Sequence, residues 1–342
     1  MNDGTGSSDI APFAIAMGDP AGIGPEVVAK AWAMREAQGL APFFVIGECR
    51  AISAVWDGPI ASIDSPDAAR AAFDDALPCL QQTMTGDIVP GQPNADGAQC
   101  ALHALEIGIG LAKSGAAGGL ITAPVGKTQL YSVGFTHPGQ TEFIAERCGI
   151  ARSNAVMMLA GPSLRVVPVT IHIPLGEVPA ALSIDLIRTR ALVTAKGLVR
   201  NFGIEKPRIW VAGLNPHAGE HGNMGREEID IIAPAVESLR AEGMDISGPY
   251  SPDAMFHGPA REQYDAALCM YHDQALIPVK TLHFDDGVNM TLGLPIVRTS
   301  PDHGTAFGIA GRNIASPGAM IAAIRMAEIA ARNRVAWADC PA

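Results

Sequence analysis

The strongest constraint on the fold is a strand, a glycine-rich loop and a helix that follow one another near the N terminus. The apolar run from Phe13 to Met17 leads into GDPAGIGPE, and EVVAKAWAM after it has helical periodicity. Pro25 suits the first turn of that helix, where a missing N–H costs no hydrogen bond, and Glu26 complements the positive end of the helix dipole. The chain is therefore predicted to alternate strands with helices.

Strand-like and helical segments continue to alternate along the rest of the sequence. Strands are predicted at 42–47, 119–125, 165–173, 208–214 and 264–271, helices around 98–114, 183–201, 227–243 and over about the last 25 residues, and an extended segment at 287–300. This alternation is typical of an α/β protein with a mostly parallel sheet. The sequence has no internal repeat or low-complexity linker, so we expect any two domains to be joined by continuous elements.

The composition is that of an ordered globular protein. Hydrophobic residues make up 48% of the 342 residues and charged residues 17%, which excludes a disordered chain and allows a sizeable core. The formal net charge of −11 would repel nucleic acids and anionic membranes, and no cluster of Lys and Arg offsets it. A small anionic ligand would therefore need a locally positive pocket.

The cysteine pattern favours a reduced protein. The six cysteines have no CxxC or metal-finger spacing and are predicted to be free, largely buried thiols: Cys49, Cys79, Cys100, Cys148, Cys269 and Cys340. The first ten residues carry no Lys or Arg, which argues against a secretory signal, and no apolar stretch reaches the ~18 residues of a membrane span. We expect a cytoplasmic protein.

Three histidines fall where predicted strands end. His172 closes VVPVTIH, His217 follows RIWVAGL, and His272 follows AALCMY. Ligands collect at the carboxyl ends of strands in α/β sheets, and three imidazoles with open positions are typical of a catalytic divalent metal. Two alternatives remain: His221 could replace His217, or all could be separate hydrogen-bonded loop histidines.

A second group of residues suggests an anion site. Lys280, Asn289 and Arg298 are spaced by nine residues each, and a Lys, an amide and an Arg supply the donors that a phosphate or carboxylate requires. The alternative is that the two cations pair with nearby acids: Asp285, Asp286 or Asp302.

Neither standard nucleotide-binding loop is present. GKT at 126–128 resembles the end of a Walker loop, but Ile121 stands where that motif needs a glycine. The GxGxxG pattern also fails at its third glycine, both after Gly22 and Gly24 and after Gly108 and Gly110. A dehydrogenase with this sequence would hold its cofactor by another arrangement.

Several stretches resemble known dehydrogenases. MGDPAGIGPEVVAKA (17–31) is similar to the GDGIGPEV opening of the isocitrate and isopropylmalate dehydrogenases, and HGTAFGIAGRNIASP (303–317) resembles their HGSAPDIAGK-type adenosine-binding loop. A closer resemblance, to the 4-hydroxythreonine-4-phosphate dehydrogenase family, rests on TAPVGK (122–127), PGQTEF (138–143), GLNPHAGE with NMGREE (213–228), MYHDQALIPVK (270–280) and GVNMTLGLPIVRTSPDHGTA (287–306).

The resemblance implies an isocitrate/isopropylmalate dehydrogenase-like fold, with two α/β/α domains and an active-site cleft between them. Residues 1–128 with 300–342 would form the cofactor-side domain, and residues 129–299 the domain that carries metal, substrate and dimer contacts. It also implies a homodimer whose active site lies at the subunit interface, with His272 and the phosphate contacts not all from one chain.

The family's functional residues carry over to matching positions of this sequence. The resemblance implies that His172, His217 and His272 bind one divalent ion, which would be zinc, magnesium or cobalt. It assigns the phosphorylated substrate to Gln140, Thr141, Lys280, Asn289 and Arg298, and the cofactor to the HGTA loop at His303, Gly304 and Thr305. That loop could instead be a simple turn with a helix cap.

One position departs from the family pattern. The family often has GHTE where this chain reads Gly139-Gln140-Thr141-Glu142. An amide can donate to an anionic oxygen but cannot titrate near neutrality, so Gln140 cannot carry a proton as histidine does. His137 is near enough in sequence to be considered for that role.

The implied reaction oxidises the C3 hydroxyl of 4-phospho-hydroxy-L-threonine with NAD⁺ or NADP⁺, and the β-keto acid then loses CO₂ in pyridoxine 5′-phosphate biosynthesis. Asp273 is predicted to orient an imidazole; a role as metal ligand or base is the alternative, and the general base is unassigned. Rival functions are oxidation of 4-phosphorylated sugar acids such as threonate or erythronate, metal-dependent hydrolysis, and non-catalytic binding of a phosphorylated metabolite.

Overall fold

The structure is a computed structural model that describes residues 10 to 338. Cys340 and the N-terminal stretch examined for a secretory signal lie outside these residues. The strands are β1 (Phe13–Ala16), β2 (Phe43–Gly47), β3 (Ile60–Ile63), β4 (Leu77–Gln81), β5 (Leu120–Thr122), β6 (Val156–Gly161), β7 (Leu164–Pro168), β8 (Ile209–Ala212), β9 (Ile246–Tyr250), β10 (Ala266–Cys269), β11 (Val288–Leu292) and β12 (Arg298–Pro301).

Helices alternate with these strands along most of the chain. They are α1 (Gly24–Ala33), α2 (Arg35–Gln38), α3 (Cys49–Ser53), α4 (Ala69–Ala72), α5 (Ala95–Ser114), α6 (Lys127–Ser132), α7 (Gln140–Arg147), α8 (Val178–Ala181), α9 (Ile184–Phe202), α10 (Ala233–Ala241), α11 (Gly258–Arg261), α12 (His272–Leu282) and α13 (Gly318–Ala338). Among the helices of residues 10 to 338, none has the length and apolar character that a bilayer crossing requires.

The chain divides into two compact units, with unit 1 formed by residues up to 149 and from 295 onward and unit 2 by residues 150–294. The sequence-based division placed these boundaries at 128/129 and 299/300. The first boundary differs because α6 packs against α5, which belongs to unit 1. The functional roles of the two domains stay predictions.

Unit 1 contains a wholly parallel sheet. Its strand order is β3-β4-β2-β1-β5-β12, and each neighbouring pair is parallel. β1 and β2 are buried along their whole length, as expected of parallel strands covered on both faces. Helix α5 packs on β1 and β2, and α13 packs on β12. Pro25 and Glu26 lie in the first turn of α1, as the sequence predicts.

Unit 2 contains a mixed sheet, which the prediction of a mostly parallel sheet describes only in part. The order is β11-β6-β7-β10-β8-β9, in which β6 runs antiparallel to both β11 and β7 while the remaining pairs are parallel. The reversal follows from the tight turn between Gly161 and Leu164, because a short connection joins antiparallel strands. The parallel part, β7, β10, β8 and β9, carries the predicted histidines at its carboxyl edge.

The five cysteines within the described part of the chain are all free thiols. Cys79, Cys100 and Cys269 are buried, and Cys49 and Cys148 are partly exposed. This agrees with the reduced, largely buried thiols predicted from their spacing.

Candidate functional site

Three neighbouring parallel strands of unit 2 each lead to one predicted histidine. β7 is followed by His172, β10 by His272 and β8 by His217, and these strands lie side by side in the order β7-β10-β8. The carboxyl ends of parallel strands meet at one edge of a sheet, so the topology places all three histidines at that edge.

Two of these histidines lie close together in space. The ring centroids of His172 and His272 are 5.7 Å apart, with an angle of 43° between the rings. Thr170 links the loop that carries His172 to the loop that carries His272. Its backbone N–H and its hydroxyl both donate to the carbonyl of Met270. With Zn–N bonds of about 2.1 Å, two imidazoles on one ion have centroids roughly 5 to 6 Å apart. His172 and His272 thus fit as two ligands of a divalent ion.

Asp273 lies beside the imidazole of His272. Its carboxylate Oδ1 is 2.7 Å from His272 Nδ1, and the Asp273 side chain is 70% exposed. A carboxylate that accepts from Nδ1–H fixes the tautomer of the ring and leaves Nε2 available as a ligand. This is the contact that an orienting role of Asp273 requires.

His217 lies in an unusual left-handed turn. Residues 217–221 all have positive φ, from 44° to 79°, within the segment Pro216–Gly222. Left-handed backbone costs non-glycine residues roughly 1–2 kcal/mol each, so surrounding contacts must hold the turn. The imidazole is 65% exposed, and its Nδ1 lies 3.1 Å from Glu220 Oε2. His221, the alternative ligand, belongs to the same turn.

The structure does not complete the predicted set of three metal ligands within one chain. Across residues 10 to 338, no group of three or more His, Cys, Asp or Glu side chains has the arrangement of a metal site. The pair His172 and His272 is assembled, and His217 stays a predicted third ligand.

Unit 1 holds a buried cation, Arg298, at the start of β12. Its side chain is 4% exposed, and Nη2 donates to Thr122 Oγ1 at 2.8 Å and to Gln140 Oε1 at 3.3 Å. β12 pairs in parallel with β5, which ends at Thr122, so the sheet itself brings these residues together. Burial lowers the pKa of Arg298 to about 10, while the nearby charge of Glu142 acts in the opposite direction. The guanidinium therefore stays charged at neutral pH.

The N terminus of α7 lies beside this guanidinium. Gln140 and Thr141 are its first two residues, after the extended N-cap residue Gly139. The first N–H groups of a helix lack intrahelical acceptors and carry partial positive charge. A buried guanidinium next to such a terminus is suited to a phosphate or carboxylate.

His137 does not occupy the place of the histidine that Gln140 replaces. Its Nε2 lies 3.0 Å from Glu146 Oε2, and its ring packs against Phe135 and Phe143 with centroids 5.3 and 5.2 Å away. The side chain is only 8% exposed. His137 is therefore part of an aromatic cluster behind the start of α7.

Lys280 and Asn289 lie in unit 2. Lys280 is in the last turn of α12, and Asn289 is on β11, opposite Leu159 of β6. The side-chain oxygen of Asn289 is buried without a hydrogen-bond partner. Of the acids considered as alternative partners, Asp286 contacts His283 at 3.3 Å. An orphaned buried amide is consistent with a polar ligand at Asn289.

The HGTA loop of unit 1 packs on the glycine-rich loop before α1. Ile23 N–H donates to the carbonyl of Thr305 at 3.0 Å, and a Cβ on Gly22 would lie 3.1 Å from that oxygen. The Nδ1 of His303 contacts the Gly304 carbonyl at 3.1 Å, while its Nε2 is buried without a partner. A Cβ on Gly304 would meet no atom within 4 Å. Small residues and a free ring nitrogen thus fit an adenosine-binding loop.

Two residues of these groups were not singled out from the sequence. Thr122 ends the apolar run GLIT. A hydroxyl at the end of a strand is the sequence feature that could have indicated a binding residue there. Glu228 is a buried carboxylate that contacts the loop before His217. Its position inside a helical pattern gave no sign of this contact.

The chain is similar to known proteins along most of its length. A protein-family model described as pyridoxal phosphate biosynthetic protein PdxA matches residues 40 to 327. A 4-hydroxythreonine-4-phosphate dehydrogenase of Zymomonas mobilis is 57% identical over 328 residues, covering 96% of this chain and 98% of the relative. The protein of the same name from Erythrobacter litoralis is 55% identical, covering 94% and 97%.

A solved structure is similar along nearly the whole chain. The crystal structure of 4-hydroxythreonine-4-phosphate dehydrogenase from Klebsiella pneumoniae has a TM-score of 0.85 at 37% identity, covering 94% of this chain and 99% of that one. The predicted fold class is confirmed by this likeness.

Proposed function

Because the chain belongs to the PdxA family of pyridoxal phosphate biosynthetic proteins and is an oxidoreductase, we propose that it oxidises 4-phospho-hydroxy-L-threonine. The hydride from C3 passes to NAD⁺ or NADP⁺. The product, 2-amino-3-oxo-4-phosphooxybutanoate, loses CO₂ to give 3-amino-2-oxopropyl phosphate.

The observation that carries this proposal is the buried guanidinium of Arg298 at the N terminus of α7. Arg298 is 4% exposed and is oriented by Thr122 and Gln140. A charged group held in such a place is suited to a dianionic phosphate, which accepts several charge-assisted hydrogen bonds. Thr141, the second residue of α7, supplies a hydroxyl and an N–H at the same point. We assign the substrate phosphate to these residues of unit 1. Lys280 and Asn289 of unit 2 stay predicted substrate-binding residues.

The histidines of unit 2 are proposed to bind one divalent ion, which is zinc, magnesium or cobalt. His172 and His272 supply two nitrogens 5.7 Å apart by ring centroid, and His217 supplies the third. A bound divalent ion acts as a Lewis acid that lowers the pKa of a substrate hydroxyl. Neutral imidazoles leave the positive charge of the ion undiminished. Asp273 holds His272 through Nδ1, so that Nε2 points away from the carboxylate.

The adenosine end of the cofactor is proposed to bind at the HGTA loop. His303 Nε2 is buried and can accept a hydrogen bond from the adenosine. Gly304 gives the backbone room for close approach, and Thr305 is fixed by the N–H of Ile23.

We also propose a homodimer whose active site lies at the subunit interface. Support comes from the helix that His272 begins: Ile277, Leu282 and, just after the helix, Phe284 are 63%, 43% and 79% exposed. A homodimer interface at this segment would cover these three large apolar side chains. The cytoplasmic location expected from the sequence stays a prediction.

The proposal is tested by measuring formation of NADH and NADPH by the purified protein. We expect turnover with 4-phospho-hydroxy-L-threonine, loss of turnover with a chelator, and recovery on adding a divalent metal. Faster turnover of 4-phosphorylated threonate or erythronate would assign the enzyme to the sugar-acid reaction instead. Failure to bind either nicotinamide cofactor would reject a dehydrogenase and favour a hydrolase or a binding protein.

A further inference from the structure

Glu228 of unit 2 is a buried carboxylate at the base of the left-handed turn that carries His217. The residue is 3% exposed. Its Oε1 accepts from the backbone N–H groups of Leu214 and Asn215, at 2.8 and 2.7 Å, and its Oε2 accepts from Asn215 Nδ2 at 3.0 Å. The carboxylate is therefore fixed where the chain leaves β8 and enters the turn.

The same carboxylate also touches the centre of the turn. A Cβ on Gly219 would lie 2.7 Å from Glu228 Oε2, and a Cβ on Gly213 would lie 3.0 Å from Oε1. Glycine is required at Gly219 for a second reason, since its φ is +79°. The two oxygens of Glu228 thus lie between the entry and the middle of the turn, with no room for a side chain on either glycine.

Glu228 itself begins a rare element. Residues Glu228–Ile232 form a π-helical turn that continues into α10. Such turns are frequent at functional sites, where the extra residue redirects neighbouring side chains. Here both Glu227 and Glu228 accept from Asn215 Nδ2, at 2.8 and 3.0 Å.

The His217 side chain contacts a residue of its own turn, since its Nδ1 lies 3.1 Å from Glu220 Oε2. It is 65% exposed, so packing does not fix the ring, and Ala218, Glu220 and His221 share its unfavourable left-handed conformation. The orientation of the ring therefore depends on the backbone of the turn.

We infer that Glu228 is a positioning residue for His217, which sets the left-handed turn so that the imidazole is presented to the divalent ion. The inference rests on the proposed function, because it assumes that His217 is a metal ligand. Glu228 does not touch the ion or the substrate; it acts through the backbone N–H groups of Leu214 and Asn215.

The test compares Glu228→Gln with Glu227→Gln as a matched control. An amide at position 228 places an NH₂ group against N–H donors, whichever way it is turned. An amide at position 227 keeps an oxygen that can accept the single hydrogen bond from Asn215. Binding of Co²⁺ is measured by titration calorimetry without substrate or cofactor, and amide hydrogen exchange is measured over residues 214–222.

We expect Glu228→Gln to weaken Co²⁺ binding by about 10- to 100-fold, as is usual when a partner of a metal ligand is lost. Exchange in residues 214–222 should become faster, while Glu227→Gln should match the wild type in both measurements. In turnover, kcat should fall with little change in the KM of the phosphorylated substrate. Wild-type affinity in a folded Glu228→Gln variant would overturn the inference and leave the proposed function intact.

Two further outcomes are also decisive. If the wild type itself does not bind Co²⁺, the proposed metal role fails and this inference fails with it. If Glu228→Gln does not fold, as judged by circular dichroism, Gly219→Ala takes its place, because its Cβ displaces the turn from the carboxylate. Unchanged Co²⁺ binding by Gly219→Ala would then refute the role of the Glu228 contact.

Discussion

A buried guanidinium is costly to desolvate, and Arg298 shows how this cost is offset at the level of one residue. Burial disfavours its charged form, yet the pKa remains about 10, so the charge persists at neutral pH. Two neutral acceptors, Thr122 Oγ1 and Gln140 Oε1, orient the group.

We therefore expect Arg298→Ala to raise the KM of the phosphorylated substrate by roughly 10- to 100-fold, since a charge-assisted contact contributes about 1.5–3 kcal/mol. Arg298→Lys should restore the charge but only part of the affinity, because an ammonium lacks the two-pronged geometry. Steady-state kinetics of both variants provide the measurement. The exposed Arg325, which bonds Gln38, is the control position, and Arg325→Ala should leave KM unchanged. An unaltered KM in Arg298→Ala would move the phosphate to another place.

Gln140 supports a second prediction at the residue scale. Its amide does not titrate, whereas a histidine there would carry a pKa near 6.5, lowered by the adjacent charge of Arg298. Gln140→His should therefore introduce a pH dependence, in which KM for the phosphorylated substrate decreases as the pH falls through the pKa of the imidazole. The measurement is KM between about pH 5.5 and 8.5. Superimposable pH profiles for this variant and the wild type would show that position 140 does not contact the anion.

At the scale of elements, the junction of β2 and α3 depends on one carboxylate. Glu48 is the N-cap residue of α3 and is 3% exposed. Burial alone would raise its pKa, but hydrogen bonds from Arg50, Gln81 and the backbone N–H of Met84 outweigh it and lower the pKa to about 2. The ionised carboxylate therefore links a strand, a helix and a loop.

This pKa predicts how stability changes with pH. A carboxyl whose pKa in the folded protein lies below its ordinary value of 4.5 stabilises the fold above pH 4.5, and this contribution is lost as the pH falls towards 2. Glu48→Gln should lower the free energy of unfolding at pH 7 by at most about 3 kcal/mol, and the difference should shrink between pH 4.5 and 3. Urea unfolding at several pH values measures it. The 85% exposed Glu36 provides the control, and an equal loss in Glu36→Gln would contradict this account.

The sequence predicted elements well where local signals agree. The helix of α9, expected at 183–201, spans Ile184–Phe202, because Ser183 caps its start and Gly203 in left-handed conformation ends it. The predicted strand at 165–173 instead ends at Pro168, since β10 stops at Cys269 and the pairing beyond continues only through loop hydrogen bonds. Strands β3, β4, β6 and β9 were not predicted.

The missed features share a physical cause. β9 reads ISGPY, in which Gly and Pro are breakers that a regular pattern does not tolerate, and its pairing with β8 is irregular. The left-handed turn at 217–221 has only one glycine, so its conformation is imposed by contacts such as those of Glu228. Tertiary contacts of this kind cannot be read from local sequence.

At the scale of the whole molecule, strand order explains why distant histidines share one edge of unit 2. They are separated by 45 and 55 residues, a spacing that matches no local zinc motif. Because β7, β10 and β8 are neighbours, the separation along the chain disappears in the sheet. The location of the histidines could thus be predicted from the points where the strands end. The positions of their rings relative to one another depend on the folded sheet.

Subunit mixing distinguishes a site shared between subunits from one built within a chain. His172→Ala and His272→Ala should each be inactive and bind metal poorly. If His272 of the partner subunit completes the site, random hybrid dimers of these variants contain one intact site each, so an equal mixture should recover roughly a quarter of wild-type activity. A site built from one chain, which the 5.7 Å separation of the two rings also permits, predicts no recovery.

The control is a mixture of His172→Ala with His217→Ala: both ligands then come from the same subunit, and no hybrid site is intact. Activity is measured after subunit exchange, with the dimer verified by light scattering. Absence of recovery in the first mixture, with exchange demonstrated, would reject the shared site.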